Sequence, residues 1–420
     1  MNCSAMIPEV MTPNVPSVNL FTHFADLPDP RINRTKRHKL IDIVGVTICA
    51  VICGADGWAA IEEYGQAKEV WLREFFELPA GIPSDDTFRR VFTCLSPTQL
   101  QDRFVNWVQA ISQQTGGRVV AIDGKTARRS YDRGDNKGAI HMVSAWASAE
   151  HLVLGQLKTD AKSNEITAIP DLLQMLALEG CIVTIDAMGC QTAIAGQIVD
   201  QGAAYVLALK ENQGTTYQHV VEFFDRFLDP LPESSSPPTP PPEETHTLDV
   251  AQQQEQRRRQ AHQERAWDQA ATDHETVDGE HGRLEFRRYY QVSDLSWLDE
   301  RSRWKDLQSI GMVEAERHIE DQVSIERRYY LSSLTPDITQ FAHAVRGHWG
   351  IENSLHWVLD VTFREDECRI RKGAAPENFT LVRHVAINLL NRDASDTRSL
   401  AMKRRRAGWD NAYLARILLS

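Results

Sequence analysis

Two aspartates stand where apolar, strand-like runs of the sequence give way to turns. Asp123 follows VVAI and precedes a glycine, and Asp186 follows CIVTI in the same manner. A carboxylate at the tip of a buried strand costs free energy unless a cation meets it. We therefore predict that Asp123 and Asp186 bind the same hard metal ion.

A third carboxylate, Glu352, belongs to a segment with helical spacing of apolar residues. Val345 and Leu359 lie seven residues to either side of it, so we expect Glu352 on the core-facing stripe of the helix. Carboxylates without accompanying cysteine suit Mg²⁺ or Mn²⁺. Two such ions about 3.5–4 Å apart can clamp the attacking and leaving oxygens of a phosphoryl displacement. Asp123, Asp186 and Glu352 together predict metal-dependent phosphoryl transfer.

A different metal site is an alternative. His348 and His356 lie four residues before and after Glu352, and residues with this helical spacing can ligate Zn²⁺. The spacing is not the HExxH pattern of metalloproteases, and a zinc site would leave both aspartates unexplained. The zinc interpretation is therefore the weaker one.

The elements that must position these groups follow a recognisable order. Apolar positions recur at helical spacing over 21–118, which predicts an all-helical domain. From Arg118 onward the pattern reads as three strands, a helix, a strand, a helix and a strand, with each aspartate at a strand end. Right-handed crossovers would make the later strands parallel. The sequence predicts an α/β domain with a mixed sheet, in the order of the ribonuclease-H-like fold.

The interval between Asp186 and Glu352 is too long for that fold and predicts an insertion. GRLEFRRYYQV and ERRYYLSSL read as strands, whereas SSSPPTPPPEE and the Gln- and Arg-rich run after it form a low-complexity break. The predicted organisation is a disordered tail over 1–20, a helical domain over 21–118, a catalytic domain over 119–395 with a β-rich insertion at about 213–335 and a Pro-rich break at about 228–265, and a basic tail over 396–420.

Composition narrows the class of protein. The 420 residues are 42% hydrophobic and 25% charged, which is typical of a globular protein, and the net charge of −12 argues against coating nucleic acid by bulk electrostatics. Basic clusters near both ends of the chain can still contact phosphates. The seven scattered cysteines predict reduced thiols, and we find no signal peptide or membrane-spanning run. A cytoplasmic protein is expected.

Several motifs together resemble a known family. AIDGKTARRS, TIDAMGCQ, LALKENQ and RGHWGIENSLHWVLDVTFREDECRIRKG are similar to signatures of bacterial insertion-sequence transposases of the DDE type, in the H-repeat-associated (ISAs-like) group. DPRINRTKRHKLIDIV and GIPSDDTFRRVF resemble the N-terminal domain that accompanies the catalytic domain in that group. The resemblance extends from about Phe21 to Leu390.

The resemblance implies a ribonuclease-H-like catalytic domain that cleaves and joins DNA strands at the ends of its own element. Asp123, Asp186 and Glu352 match the three catalytic acids, and the implied cofactor is a pair of Mg²⁺ or Mn²⁺ ions. The chain departs from the Tyr–Arg–Glu–Lys pattern of related transposases, since His348 lies four residues before Glu352. Candidate DNA contacts are Lys125, Lys210, Asn212, Arg346, His348, Arg369, Arg371 and Lys372.

The implied partners are double-stranded DNA, as terminal inverted repeats and target DNA, and a second copy of the chain in a homodimer on that DNA. Membrane association is not expected. Two other activities remain open at this point. A catalytically silent remnant would bind DNA without cutting it, and a ribonuclease-H-like nuclease would cut without joining.

Overall fold

The N-terminal part of the chain is helical, as the sequence predicts. The computed structural model describes residues 19–112, 118–132, 134–135, 137–159, 165–228, 250–280, 283–320 and 322–419. Residues 1–18 of the expected disordered tail over 1–20 lie outside the described residues. The Pro-rich stretch over 229–249 lies outside them as well. The first helices are α1 (Leu20–Phe24), α2 (Leu40–Ile52), α3 (Trp58–Leu72), α4 (Asp85–Cys94) and α5 (Pro97–Ile111).

Local sequence explains where two of these helices begin. The hydroxyl of Ser84 accepts a hydrogen bond from the Thr87 amide at the start of α4, and Ser96 accepts one from Gln99 at the start of α5. Helix α2 is buried along nearly its whole length and forms the centre of the helical region. Its one acid, Asp42, accepts a hydrogen bond of 3.0 Å from the Leu78 amide.

A mixed sheet follows the helical region and carries both predicted aspartates. Its first three strands form an antiparallel meander, and the next two run parallel to β1, with Ile122 opposite Ile185 and Ile185 opposite Leu207. Helices α6 (Glu165–Gln174) and α7 (Thr192–Asp200) make the two crossovers. These strands are β1 (Val119–Thr126), β2 (His141–Ala147), β3 (Leu152–Lys158), β4 (Ile182–Ile185) and β5 (Ala204–Leu209).

The inserted strands continue this sheet, which differs from the separate β unit expected from the sequence. The last inserted strand pairs antiparallel with β5, with Leu331 opposite Leu207, so the sheet has nine strands in the order β3-β2-β1-β4-β5-β9-β8-β7-β6. Helix α8 (Gly214–Leu228) precedes the inserted strands and α9 (Val250–Asp268) leads into them. The strands are β6 (Ala271–Glu280), β7 (Arg283–Val292), β8 (Ser309–Ile319) and β9 (Gln322–Ser332).

The last elements return to the mixed sheet and to the N-terminal helices. Helix α10 (Ile338–Gly350) packs on β1 and continues as a π-helical segment over Ile351–His356, followed by another over Val358–Thr362. Helix α11 (Ala375–Arg392) packs against α2, α4 and β3. Within the described part of the chain, no helix combines the length and hydrophobicity needed to cross a membrane.

The segment expected as a basic tail, 396–420, contains two packed helices, α12 (Leu400–Trp409) and α13 (Asn411–Leu419). Two of its basic residues are buried, and backbone carbonyl oxygens accept hydrogen bonds from them. Lys403 donates to the carbonyls of Leu390 and Asp393, at 2.9 Å each, and Arg404 donates to the carbonyl of Val51 at 2.8 Å. These two cations are therefore engaged within the fold.

Candidate active site

Asp123 and Asp186 lie at corresponding positions of the neighbouring parallel strands β1 and β4, each directly after the pair formed by Ile122 and Ile185. Asp123 is inside β1, directly after the buried Ile122, and Asp186 directly follows the last residue of β4. The Asp186 Oδ1 accepts hydrogen bonds from the amides of Met188, at 3.1 Å, and Gly189, at 3.3 Å. This turn fixes the carboxylate at the end of its strand.

A third carboxylate, Glu165, joins the two aspartates. Ligand oxygens of Asp123, Glu165 and Asp186 all lie within 4.8 Å of one another. Glu165 is the first residue of α6, a helix that sequence periodicity places only from Ile169 onward. The signal that would have found it is the Ser-Asn-Glu sequence over 163–165, since Ser and Asn favour the position before a helix and acids favour its first turn.

The grouping of carboxylates changes the acidity of Asp123. Burial raises the pKa of Asp123 from its ordinary value of 3.8 to about 7, and the negative charges of Asp186, Glu165 and Glu352 act in the same direction. Burial also raises the pKa of Asp186. A divalent cation bound by these groups would reverse this effect, because it favours their charged forms.

Glu352 lines the same cleft as Asp123 and Asp186. The cleft has a volume of about 330 Å³, and Asp123, Asp186 and Glu352 contribute to its lining together with Lys210 and Trp349. Glu352 lies in the π-helical segment and is exposed, so its predicted place on the core-facing stripe is not observed. A π-helix has more residues per turn than an α-helix. The helical spacing of buried residues in α10 therefore does not continue to Glu352.

The two histidines beside Glu352 do not form a metal site with it. His348 Nδ1 lies 3.1 Å from the hydroxyl of Thr184 on β4, and His356 Nδ1 lies 3.5 Å from Asp123 Oδ2. Burial lowers the pKa of each histidine to about 4, so both rings are neutral near pH 7. Among the described residues, the group of side chains with metal-binding geometry contains Asp123, Glu165 and Asp186, which leaves the zinc alternative without support.

Of the candidate DNA contacts, Lys210 and His348 line this cleft, whereas Asn212 and Lys125 bind other residues of the fold. Lys210 is exposed. Asn212 donates to the carbonyl of Ala187 at 2.6 Å and so braces the turn after Asp186. Lys125 is largely buried and lies 2.6 Å from Asp360 and 3.2 Å from Glu365. Lys125 is thus engaged by acids of the fold, whereas Lys210 can reach a ligand in the cleft.

The remaining candidate DNA contacts lie elsewhere. Arg346 pairs with Asp278 on β6 at 2.9 Å, in a groove beside the cleft. Arg369, Arg371 and Lys372 line a separate cleft, at the junction with the N-terminal helices. The structure therefore divides the predicted DNA contacts between two regions of the surface.

A large mixed sheet with a group of carboxylates beside the ends of two parallel strands, preceded by a helical domain, defines an α/β protein with a candidate metal site. The model for the family described as "Transposase DDE domain" matches residues 114–389, and that for "DDE_Tnp_1-associated" matches residues 21–108. The chain belongs to the family of DDE-domain transposases that carry this associated N-terminal domain.

Named relatives agree with the family. The chain is 39% identical over 407 residues to the "H repeat-associated putative transposase YhhI" of Escherichia coli K12, covering 95% of this chain and 97% of the relative. It is 38% identical over 408 residues to the "Putative transposase YncI" of Escherichia coli O157:H7, with coverage of 96% and 95%. A solved piggyBac transposase synaptic complex with hairpin DNA is similar at a TM-score of 0.40 and 11% identity, covering 96% of this chain and 77% of that one.

Proposed function

We propose that this chain is an active transposase that cleaves DNA at the ends of its own insertion element and joins those ends to target DNA. The observation that carries the proposal is the group formed by Asp123, Glu165 and Asp186, whose ligand oxygens lie within 4.8 Å of one another. Asp123 and Asp186 also line a cleft to which Glu352 contributes. The strand order β3-β2-β1-β4-β5 within the sheet supports a ribonuclease-H-like catalytic domain.

The residues of the cleft fit a pair of Mg²⁺ or Mn²⁺ ions. Every donor in the group is a carboxylate oxygen, the ligand type that these hard cations prefer. The raised pKa of Asp123, caused first by burial and then by its acidic neighbours, is the behaviour of carboxylates crowded together without their cation. Asp123, Glu165 and Asp186 would hold the ions, with Glu352 as a further carboxylate of the cleft.

When bound, the ions would activate a water or a DNA 3′-hydroxyl for attack on a phosphodiester and stabilise charge on the leaving oxygen. The protein's own residues position this chemistry. The Asp186 turn is braced by Asn212 and by Gln213, which donates to the Cys190 carbonyl at 2.7 Å. Arg328 also lines the cleft, stacked 4.4 Å above the Trp349 ring and paired with Glu326 at 2.8 Å. A phosphate in the cleft would have to share this guanidinium with Glu326.

The proposal includes the partners and the cellular setting. Double-stranded DNA would be the substrate, both as terminal inverted repeats and as target, and we propose that two copies of the chain act together on a pair of ends. Such a protein would work in the bacterial cytoplasm, where chromosomal and plasmid DNA are accessible.

The test is cleavage of a DNA fragment that carries the element's end, with Mg²⁺ or Mn²⁺. Wild type is compared with Asp186→Ala and with Asp171→Ala, a control that removes an exposed aspartate from α6 outside the cleft. Metal-dependent cutting that only Asp186→Ala abolishes, together with joined products, supports the proposal. Cutting without joined products indicates a nuclease, and specific binding without cutting by wild type indicates a DNA-binding remnant.

A further inference from the structure

A second cleft lies at the junction between the N-terminal helices and the catalytic domain. It has a volume of about 610 Å³, and α4 contributes one wall while the chain between the π-helical segments and α11 contributes the other. Five basic and three acidic residues line it, although the chain as a whole carries a net charge of −12. The basic residues are Arg89, Arg364, Arg369, Arg371 and Lys372, and the acidic ones are Asp56, Asp132 and Glu367.

The two walls are fixed to each other by buried contacts. The Asn378 side chain, at the start of α11, donates to the carbonyls of Phe92 and Leu95 at the end of α4, at 2.9 Å each. The Ala374 amide donates to the carbonyl of Thr93 at 3.1 Å. The distance across the cleft is therefore set by the fold, so a ligand would meet a preformed surface.

Arg369 is the cation most available to a ligand. It is exposed and pairs with no acidic residue that the structure describes. Arg89, on the opposite wall, is also exposed, and its partner Asp86 lies on the same helix. An exposed ion pair within one helix contributes little stability, so Arg89 can exchange this partner for a phosphate at small cost.

The cleft is connected to the catalytic strand. Arg371 donates to the carbonyl of Arg129 at 2.9 Å, and Arg129 lies just beyond the end of β1, which contains Asp123. The six residues from Asp123 to Arg129 span at most about 20 Å even when fully extended. That length corresponds to about six base pairs of duplex DNA, so one DNA segment can contact both places.

We propose that this junction cleft binds the phosphate backbone of the DNA beside the site of cutting, with Arg369 and Arg89 contacting phosphates from opposite walls. The identity of the ligand as DNA rests on the proposed function. Phosphate contacts add affinity without reading sequence. The cleft would therefore hold any duplex, and recognition of the element's end would depend on other contacts.

The test is fluorescence anisotropy of labelled duplexes in metal-free buffer, where no cutting occurs. One duplex carries the element's end and the other is unrelated. Arg369→Gln and Arg89→Gln should each weaken binding to both duplexes by the same factor and lower the slope of log affinity against log salt by about 1. Arg369→Lys should retain binding, and Arg303→Gln, an exposed arginine outside the cleft, should bind like wild type.

Each result has a defined meaning. Wild-type affinity and salt slope in both Arg369→Gln and Arg89→Gln would overturn the cleft proposal, even if the protein cuts DNA. If both arginine variants bind DNA more weakly as expected but the wild-type protein does not cut DNA in the cleavage test, the cleft proposal would be supported and the proposed function contradicted. A loss confined to the end-bearing duplex would show base recognition and would also overturn the phosphate assignment. Thermal unfolding of each variant checks that the fold is intact.

Discussion

His141 holds Glu165 through a contact of 2.8 Å between Nε2 and Oε1, while its Nδ1 lies 2.8 Å from the Thr126 hydroxyl at the end of β1. The histidine comes from β2 and the glutamate from the first turn of α6. This arrangement resembles the outer contacts that orient metal ligands in proteins. It fixes Glu165 beside Asp123 before any ion binds, which makes the role of Glu165 testable by metal affinity alone.

Glu165→Gln should weaken Mn²⁺ binding by about tenfold or more, because the variant removes one charge and one ligand oxygen from the group. Isothermal titration calorimetry in the absence of DNA measures this directly. The control is Glu179→Gln, which neutralises an exposed glutamate outside the cleft. Equal Mn²⁺ affinity in Glu165→Gln and wild type would show that Glu165 has no part in holding the ions.

Asp123→Asn should stabilise the metal-free protein more at pH 8 than at pH 5. The pKa of Asp123 is raised by burial to about 7, so the folded state retains the proton more strongly than the unfolded state does. This contribution is fully present below pH 3.8 and is lost as pH rises through 7. The difference between pH 5 and pH 8 corresponds to about 2–3 kcal/mol.

Urea denaturation in EDTA at the two pH values gives the comparison. Asp171→Asn, which changes an exposed aspartate, provides the baseline for an ordinary carboxylate. A stabilisation by Asp123→Asn that is the same at pH 5 and pH 8 would mean that Asp123 titrates normally in the folded protein.

Lys125→Met should lower the free energy of unfolding by about 2 kcal/mol, because it removes a largely buried cation from Asp360 and from the buried Glu365, which keeps its pair with Arg383. Burial lowers the pKa of Lys125, but Glu365 and Asp360 outweigh burial and hold that pKa above its ordinary value. Lys158→Met is the matched control, since Lys158 is more exposed and pairs with Glu377 at 3.2 Å; it should cost under about 1 kcal/mol. If Lys125→Met proved as stable as Lys158→Met but bound DNA less tightly, Lys125 would be a DNA contact.

Gly347→Ala and Gly350→Ala should have different effects although both lie in α10. A Cβ at Gly347 would lie 2.8 Å from Val119 Cγ1 on β1, whereas one at Gly350 would meet its nearest atom, Trp146 Nε1, at 3.5 Å. The first substitution should destabilise by about 1–3 kcal/mol through overpacking. The second should be neutral or stabilise by up to about 1 kcal/mol, because alanine favours helix. Chemical denaturation ranks the two, and a reversed order would contradict the close packing of α10 on β1.

Sequence patterns predicted those parts of the site that depend on local structure. The apolar runs before Asp123 and Asp186 indicated buried strands ending in acids, and both residues lie at neighbouring strand positions. Glu165 was missed because its helix begins before the first apolar position of the repeat. The exposure of Glu352 was also missed, since helical periodicity assumes a constant number of residues per turn and the π-helical segment changes it.

Long-range partners could not be read from the sequence. Lys125 lies near the end of β1, yet its acidic partners come from a segment more than two hundred residues later. Strands β6 and β8 were not predicted, whereas β7 and β9, with their aromatic and arginine-rich runs, were. The pairing of β9 with β5 depends on the whole sheet and has no local signature.

That pairing has a consequence for damaged copies of the gene. Strand β9 covers the edge of β5, with Val206 opposite Ser332 and Leu209 opposite Tyr329. A copy truncated within the insertion would leave the edge of this apolar strand bare, and bare strand edges promote aggregation. Truncation should thus favour insoluble protein over a folded, soluble fragment.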